Sequence, residues 1–223
     1  MRLAELTPET WPAFERLFAT NKTVGGCWCV WFMRDNAEVR AGWGEDNREH
    51  LRSRLGTPLG LLALASEPPA SEPPVGEARV GGTRVGEPLV GEPRVGDARV
   101  GEPLVGERPV GWVAVAPHPT YPRLTRSTIT RSGAGPDTWA VTCFFIHPTA
   151  RRRGLAATLL AAAVDFAVER GAAAVEGYPV DTEGERRGSG DLYHGTLAMF
   201  ESAGFTLVER RGTRRALVRK EFR

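Results

Sequence analysis

Apolar residues recur at the spacing of one helix face in Trp11, Phe14, Leu17 and Phe18, so residues 7–20 predict a helix with Thr7 as N-cap and Pro8 at its first position. Residues 47–55 predict a second, short helix. The runs LGLLALA at 59–65 and VGWVAVA at 110–116 have the length and apolar density of buried strands. In residues 139–146, WAVTCFFI, both alternating faces are largely apolar, with Trp139, Val141, Cys143 and Phe145 on one and Ala140, Thr142, Phe144 and Ile146 on the other. Such a strand belongs in the middle of a sheet covered on both sides. A helix is predicted over 151–170 with Gly171 to end it, then a strand over 172–181, a helix over 195–203 stopped by Gly204, and a hairpin over 206–222 turning near Gly212. The alternation describes an α/β domain, one mixed central sheet flanked by helices.

Between the first two strands the pattern changes kind. SEPP occurs twice, and then Val-Gly returns every five residues from Val75 to Val110. In a strand an odd period throws successive valines onto opposite faces, and in a helix it walks them around the axis, while the glycines and prolines break the helix in any case. Residues 66–109 are therefore expected to form a flexible low-complexity insert in a hairpin connection, where added length costs little closure entropy. The domain itself is then residues 1–65 together with 110–223. Much of the excess of glycine (26) and proline (17) in this 223-residue chain belongs to the repeat.

At 41% hydrophobic and 25% charged residues, the chain has enough apolar material for a core. Its 29 basic and 27 acidic residues leave a net charge of +2 at pH 7, too balanced to require a nucleic-acid partner. No apolar run approaches a membrane span and the N-terminal residues lack a signal-type apolar core, so a soluble cytoplasmic protein is expected. Three cysteines suit a reducing compartment. Cys27-x-Cys29 has the wrong spacing for a zinc knuckle and the four histidines are scattered, so no metal is expected. The run Cys27-Trp28-Cys29-Val30-Trp31-Phe32 is aromatic enough to line an acceptor pocket and equally suited to a core.

The segment His147-Pro148-Thr149-Ala150-Arg151-Arg152-Arg153-Gly154-Leu155-Ala156 joins the buried strand to a helix. The first turn of a helix has unpaired N–H groups and a positive dipole end, a ready site for a pyrophosphate if side chains leave room. Gly154 and Ala156 leave that room, and the arginines add charge-assisted donors.

Arg151-x-x-Gly154-x-Ala156 after a strand resembles the Q/R-x-x-G-x-G/A acetyl-CoA motif of the GNAT superfamily of N-acetyltransferases. Residues 198–205, AMFESAGF, are similar to that superfamily's second helix motif, and the order of elements agrees over 1–65 and 110–223. Cys143-Phe144-Phe145 and the later Glu-x-Tyr-Pro-Val-Asp, from Glu176 to Asp181, resemble a bacterial subgroup. The resemblance implies an enzyme that binds acetyl-CoA as cosubstrate in a cleft where the fourth and fifth strands splay. Phe144, Phe145 and Ile146 would then supply backbone partners to the pantetheine and thioester. Arg151, Arg152, Arg153, Gly154, Leu155, Ala156 and Ala157 would hold the phosphates. The acceptor implied is a small-molecule amine or a protein amino group.

Acetyl transfer to an amine needs a neutral amine, stabilisation of the oxyanion and a proton for the departing thiolate. An amide such as that of Ile146 answers the second need. Glu176, sharing a strand face with Tyr178, is the candidate base. The superfamily's usual tyrosine acid falls at Phe200, so Tyr178 and Tyr193 are the candidate acids, with solvent as an alternative. Cys143 suggests an acyl-cysteine route, but with no histidine base near it in sequence the direct route is expected. The loss of the usual tyrosine also leaves a second reading, a GNAT-fold protein that binds acyl-CoA without turnover.

Overall fold

The computed structural model describes residues 1–66, 107–185, 187–188 and 190–222. Among these residues seven strands form one sheet in the order β1-β2-β3-β4-β5-β7-β6. These are β1 (Arg2–Glu5), β2 (Gly60–Ser66), β3 (Glu107–Pro117), β4 (Thr138–Ile146), β5 (Ala174–Gly177), β6 (Thr206–Arg211) and β7 (Arg215–Glu221). Only β4 and β5 pair in parallel; the other neighbours are antiparallel. The helices are α1 (Trp11–Ala19), α2 (Val24–Cys27), α3 (Asn36–Ala41), α4 (Glu45–Arg52), α5 (Pro122–Arg126), α6 (Leu155–Val168) and α7 (Leu197–Ser202).

Alternation along the central strands feeds two cores. Leu62, Leu64, Trp112, Ala114 and Phe145 face α1 and the N-terminal aromatics, whereas Leu61, Ala63, Val113, Val115 and Phe144 face α6 and α7. That double cover explains why β4 is apolar on both faces. α6 is buried along most of its length and reads as an apolar helix with little polar face.

Several boundaries differ from the sequence expectation for identifiable reasons. α1 starts at Trp11 because Thr7 and Thr10 tie the preceding residues into a turn: the Thr7 N–H donates to Thr10 Oγ1 at 2.8 Å and Thr10 Oγ1 donates to the Glu5 carbonyl at 2.7 Å. α6 starts at Leu155, four residues later than expected, because Arg152 (φ 61°) and Gly154 (φ 76°) adopt left-handed backbone that a helix cannot contain. β5 is only four residues long, ending at Gly177, and the chain leaves the ladder at Pro179, touching the sheet again in a bridge at Val180. The ends at Gly171, Gly204 and Gly212 were anticipated, and all three glycines have positive φ.

The Val-Gly repeat lies, over residues 67–106, outside the described residues. The residues on either side are paired, Ser66 with Glu107 in register, and Glu107 accepts two hydrogen bonds from Arg2 at 3.0 and 2.6 Å. Ser66 and residues 107–109, counted with the repeat from sequence, therefore belong to the β2–β3 hairpin. Joining Ser66 to Glu107 by a short glycine-containing turn is expected to preserve folding and acyl-CoA affinity, with Tm within a few degrees. Circular dichroism melts and calorimetry check this, and loss of either property would mean that the repeat carries structure the domain needs.

Candidate active site

β4 outruns β5. Their register ends at Val141–Gly177, and further along β4 Phe144, Phe145 and Ile146 line a cleft of about 370 Å³. His147 donates its amide to the Val110 carbonyl at 2.9 Å, so by the alternation of an antiparallel ladder the amides of Phe144 and Ile146 point the other way, toward the cleft. The Phe144 amide is taken by the Tyr193 carbonyl at 2.6 Å. That bond plugs the base of the splay with the segment preceding α7 and leaves the Ile146 amide as the one aimed into the cleft.

The far wall is the turn into α6. Phe144, Phe145, Ile146, Arg151, Arg152, Gly154, Leu155, Ala156 and Ala157 all line the cleft, as expected from sequence; Arg153 does not, and its side chain is exposed. Arg151 donates Nε to the Ile146 carbonyl at 3.0 Å, which fixes the turn to the end of β4. Ala157 and Thr158 are the first α6 residues to donate to the Gly154 carbonyl, so the amides of Leu155 and Ala156 are first-turn donors with no place in the helix ladder. A Cβ at Gly154 would meet nothing within 4 Å, which leaves the approach to these amides clear. Together they fit the phosphates of an acyl-CoA.

The three candidate catalytic residues end up in different places. Glu176 is fully buried: Oε1 accepts from Arg219 Nε and Nη2 at 3.0 and 2.6 Å, and Oε2 accepts from Ser132 at 2.7 Å and Tyr178 at 3.0 Å. Tyr178 is buried with its hydroxyl on that carboxylate, and burial, then the Glu176 charge, pushes its pKa well up. Neither lines the cleft. The structure assigns the pair to a buried ion-pair network between β5 and β7 and separates it from the acyl site. Tyr193, by contrast, lines the cleft and also an apolar pocket of about 220 Å³ on its other side. Phe200, at the superfamily's tyrosine position, is fully buried and edge-on to Phe144 and Phe205.

That apolar pocket is built by the CWCVWF run and β4. All three cysteines line it, with Cys29 Sγ and Cys143 Sγ 3.1 Å apart, together with Trp31, Phe32 and Trp43. Burial pushes the Cys27 thiol up to about 12 and raises Cys29 well above its usual value, the Cys143 sulfur adding to both. The Cys27 and Cys29 thiols are therefore protonated and poor nucleophiles at neutral pH.

One residue of the site was missed from sequence. His194 lines the same pocket, and its Nδ1 lies 2.8 Å from the Thr142 carbonyl. A carbonyl only accepts, so Nδ1 carries the proton and Nε2 keeps a lone pair. Burial, then the Arg215 cation, pushes the His194 pKa down to about 4, against the opposing pull of the Thr142 hydrogen bond.

Cleft, splayed strands and glycine-capped helix are those of an acyltransferase fold, and the comparisons agree. The family model described as Acetyltransferase (GNAT) family matches residues 98–193. Over that segment, which is less than half of the chain, the sequence is similar to the GNAT acetyltransferase family. A GCN5-related N-acetyltransferase from Kribbella flavida is 14% identical with a TM-score of 0.50, the match covering 99% of this chain and 97% of that one. The paia N-acetyltransferase of Thermoplasma acidophilum, in complex with coenzyme A, is 11% identical at a TM-score of 0.47, covering 99% and 98%. A GNAT-family protein from Desulfovibrio desulfuricans is 19% identical at 0.34; there the match covers 51% of this chain and 62% of that chain. No curated protein matches the sequence. Among the described residues no helix is long and apolar enough to cross a membrane.

Proposed function

We propose that the protein transfers an acetyl group from acetyl-CoA to a primary amine by direct attack. The observation that carries this reading is Tyr193, which lines both the cleft and the apolar pocket. Acyl-CoA, held by the β4 edge and the α6 N-terminus, supplies the activated acyl carbon. The Ile146 amide stabilises negative charge developing on the thioester oxygen. His194 Nε2 accepts the proton of the attacking amine, and the Tyr193 hydroxyl donates one to the departing thiolate. Burial raises the Tyr193 pKa, so its hydroxyl is protonated at neutral pH.

Tyr193→Phe is expected to lower kcat by about 100-fold or more while leaving the acyl-CoA Kd within about twofold, since the Phe144–Tyr193 backbone bond survives. Because the His194 pKa is depressed, its lone pair persists as pH falls from neutral, and inactivation by its protonation begins only near the value of about 4. A kcat/KM profile is thus expected to show no histidine limb between pH 5.5 and 8. An unchanged kcat in Tyr193→Phe, or a limb near 6.5, would contradict these roles. The buried Phe200 favours the second reading, acyl-CoA binding without turnover, and tight binding with no thiol release on any amine would establish it.

A further inference from the structure

Two pockets of opposite chemistry meet at the side chains assigned to proton transfer. The apolar pocket has no charged side chain among its lining residues. Its volume of about 220 Å³ exceeds the ~150 Å³ cavities that hold a benzene ring. Trp43 is 49% exposed, with its indole laid over Gly26, where a Cβ would come within 2.0 Å of the ring. Arg123 caps Trp31 at 4.6 Å from the ring centroid and donates to its carbonyl at 2.6 Å, holding that aromatic wall in place.

The second pocket, of about 330 Å³, shares Tyr193 and His194 with the first and is lined by Arg187, Arg214 and Arg215, with Asp191 as the one acidic lining residue among the described residues. Arg187 and Arg214 both bind Glu185. Arg215 is half-buried, and among the described residues its guanidinium makes no hydrogen bond or ion pair. Burial lowers its pKa, with Asp191 opposing. Among the described residues the partly desolvated guanidinium, whose planar fork matches a carboxylate, has no hydrogen-bonded acceptor, and Asp191 is its one opposing charge.

Building on the amine transfer above, we propose that the acceptor is an α-amino acid with an apolar side chain: the side chain sits against Trp31, Phe32 and Trp43, the carboxylate binds Arg215, and the amino group lies at Tyr193 and His194. An α-amino acid carries these three groups on one carbon, matching an apolar pocket and a cationic one that converge on two consecutive residues. A polycation finds no carboxylate in the first pocket and three guanidinium groups in the second. A peptide N-terminus brings no carboxylate beside its amine.

The test is thiol release from acetyl-CoA by the full chain with L-phenylalanine, phenethylamine and spermidine as acceptors. Phenylalanine is expected to exceed phenethylamine in kcat/KM by about 10- to 100-fold, the worth of one charge-assisted interaction, with spermidine last. Arg215→Gln is expected to erase the preference of phenylalanine over phenethylamine, acetyl-CoA calorimetry reporting whether the variant is folded. Should that variant fail to fold, Trp43→Ala, altered at an exposed ring, is expected to raise KM for phenylalanine far more than for alanine. Phenethylamine or spermidine equal to or better than phenylalanine overturns the proposal and leaves amine transfer standing. An Arg215→Gln effect equal on both aromatic substrates overturns it in the same way. No transfer to any amine, with acetyl-CoA bound, overturns both.

Discussion

Gly154→Glu is expected to abolish acyl-CoA binding while the protein stays folded. Two stability terms act on the folded state and partly offset. A non-glycine residue at φ 76° costs about 1–2 kcal/mol, whereas a carboxylate at the α6 N-terminus interacts favourably with the helix dipole by about 0.3–1 kcal/mol. The new side chain enters open space, so no packing is lost. For the ligand nothing offsets the change, because the carboxylate occupies the donors of Leu155 and Ala156 and repels the phosphates. A rise in Kd of at least about 100-fold, or roughly 3 kcal/mol, is expected by calorimetry, with a melting temperature near that of the parent. Gly154→Ala, with the same backbone strain and no charge, separates strain from electrostatics and is expected to weaken binding far less. Unchanged affinity in Gly154→Glu would remove the α6 turn from the cofactor site.

The second large effect concerns Glu176. Its register partner across β5 and β7 is Arg219, whose guanidinium hydrogen-bonds the fully buried carboxylate, while His118 Nε2 lies 4.0 Å from it with its pKa lowered by burial. Arg219→Met leaves a buried carboxylate with only the Ser132 and Tyr178 hydroxyls as donors. Stranding a buried charge in this way costs about 3–5 kcal/mol, a fall in Tm of roughly 10 °C for a chain of this size. The double variant Arg219→Met with Glu176→Gln is expected to recover a large part of that loss, since no charge is then left unpaired. Glu176→Gln alone is expected to lower Tm and leave the kcat of the folded protein within a few-fold. Denaturant titration and thiol-release kinetics on the same preparations separate the two quantities. A kcat collapse in Glu176→Gln without loss of stability would restore it as the base.

The chemistry-bearing junction was legible because it is local: an apolar run, three arginines, a glycine and small residues lie within a dozen positions, and each has a direct physical reading. The same holds for the glycine-ended helices. What was not legible depends on contacts distant in sequence. Glu176 looked like a base because strand parity puts it beside Tyr178, but its partner Arg219 lies in the last strand, and no local pattern announces that pairing. His194 gained its role from the Thr142 carbonyl and the N-terminal aromatics, which the loop before α7 reaches only in the folded chain. Four-residue β1 is too short for a periodic signal, and α2, with two glycines in VGGC, forms against propensity where Trp43 packs on Gly26. The run CWCVWF suits core and pocket alike in sequence, and it is both: Trp28 and Val30 are buried in the core shared with α1, while Cys27, Trp31 and Phe32 line the pocket.

A crystal structure with bound acetyl-CoA, or with a non-hydrolysable analogue, tests the central claim most directly. The account predicts the pantetheine along the open edge of β4, the phosphates on the amides of Leu155 and Ala156, and the sulfur within reach of the Tyr193 hydroxyl. Its acyl group should face the Trp31–Trp43 pocket. A cofactor bound elsewhere, or one whose sulfur is turned away from Tyr193, would contradict it.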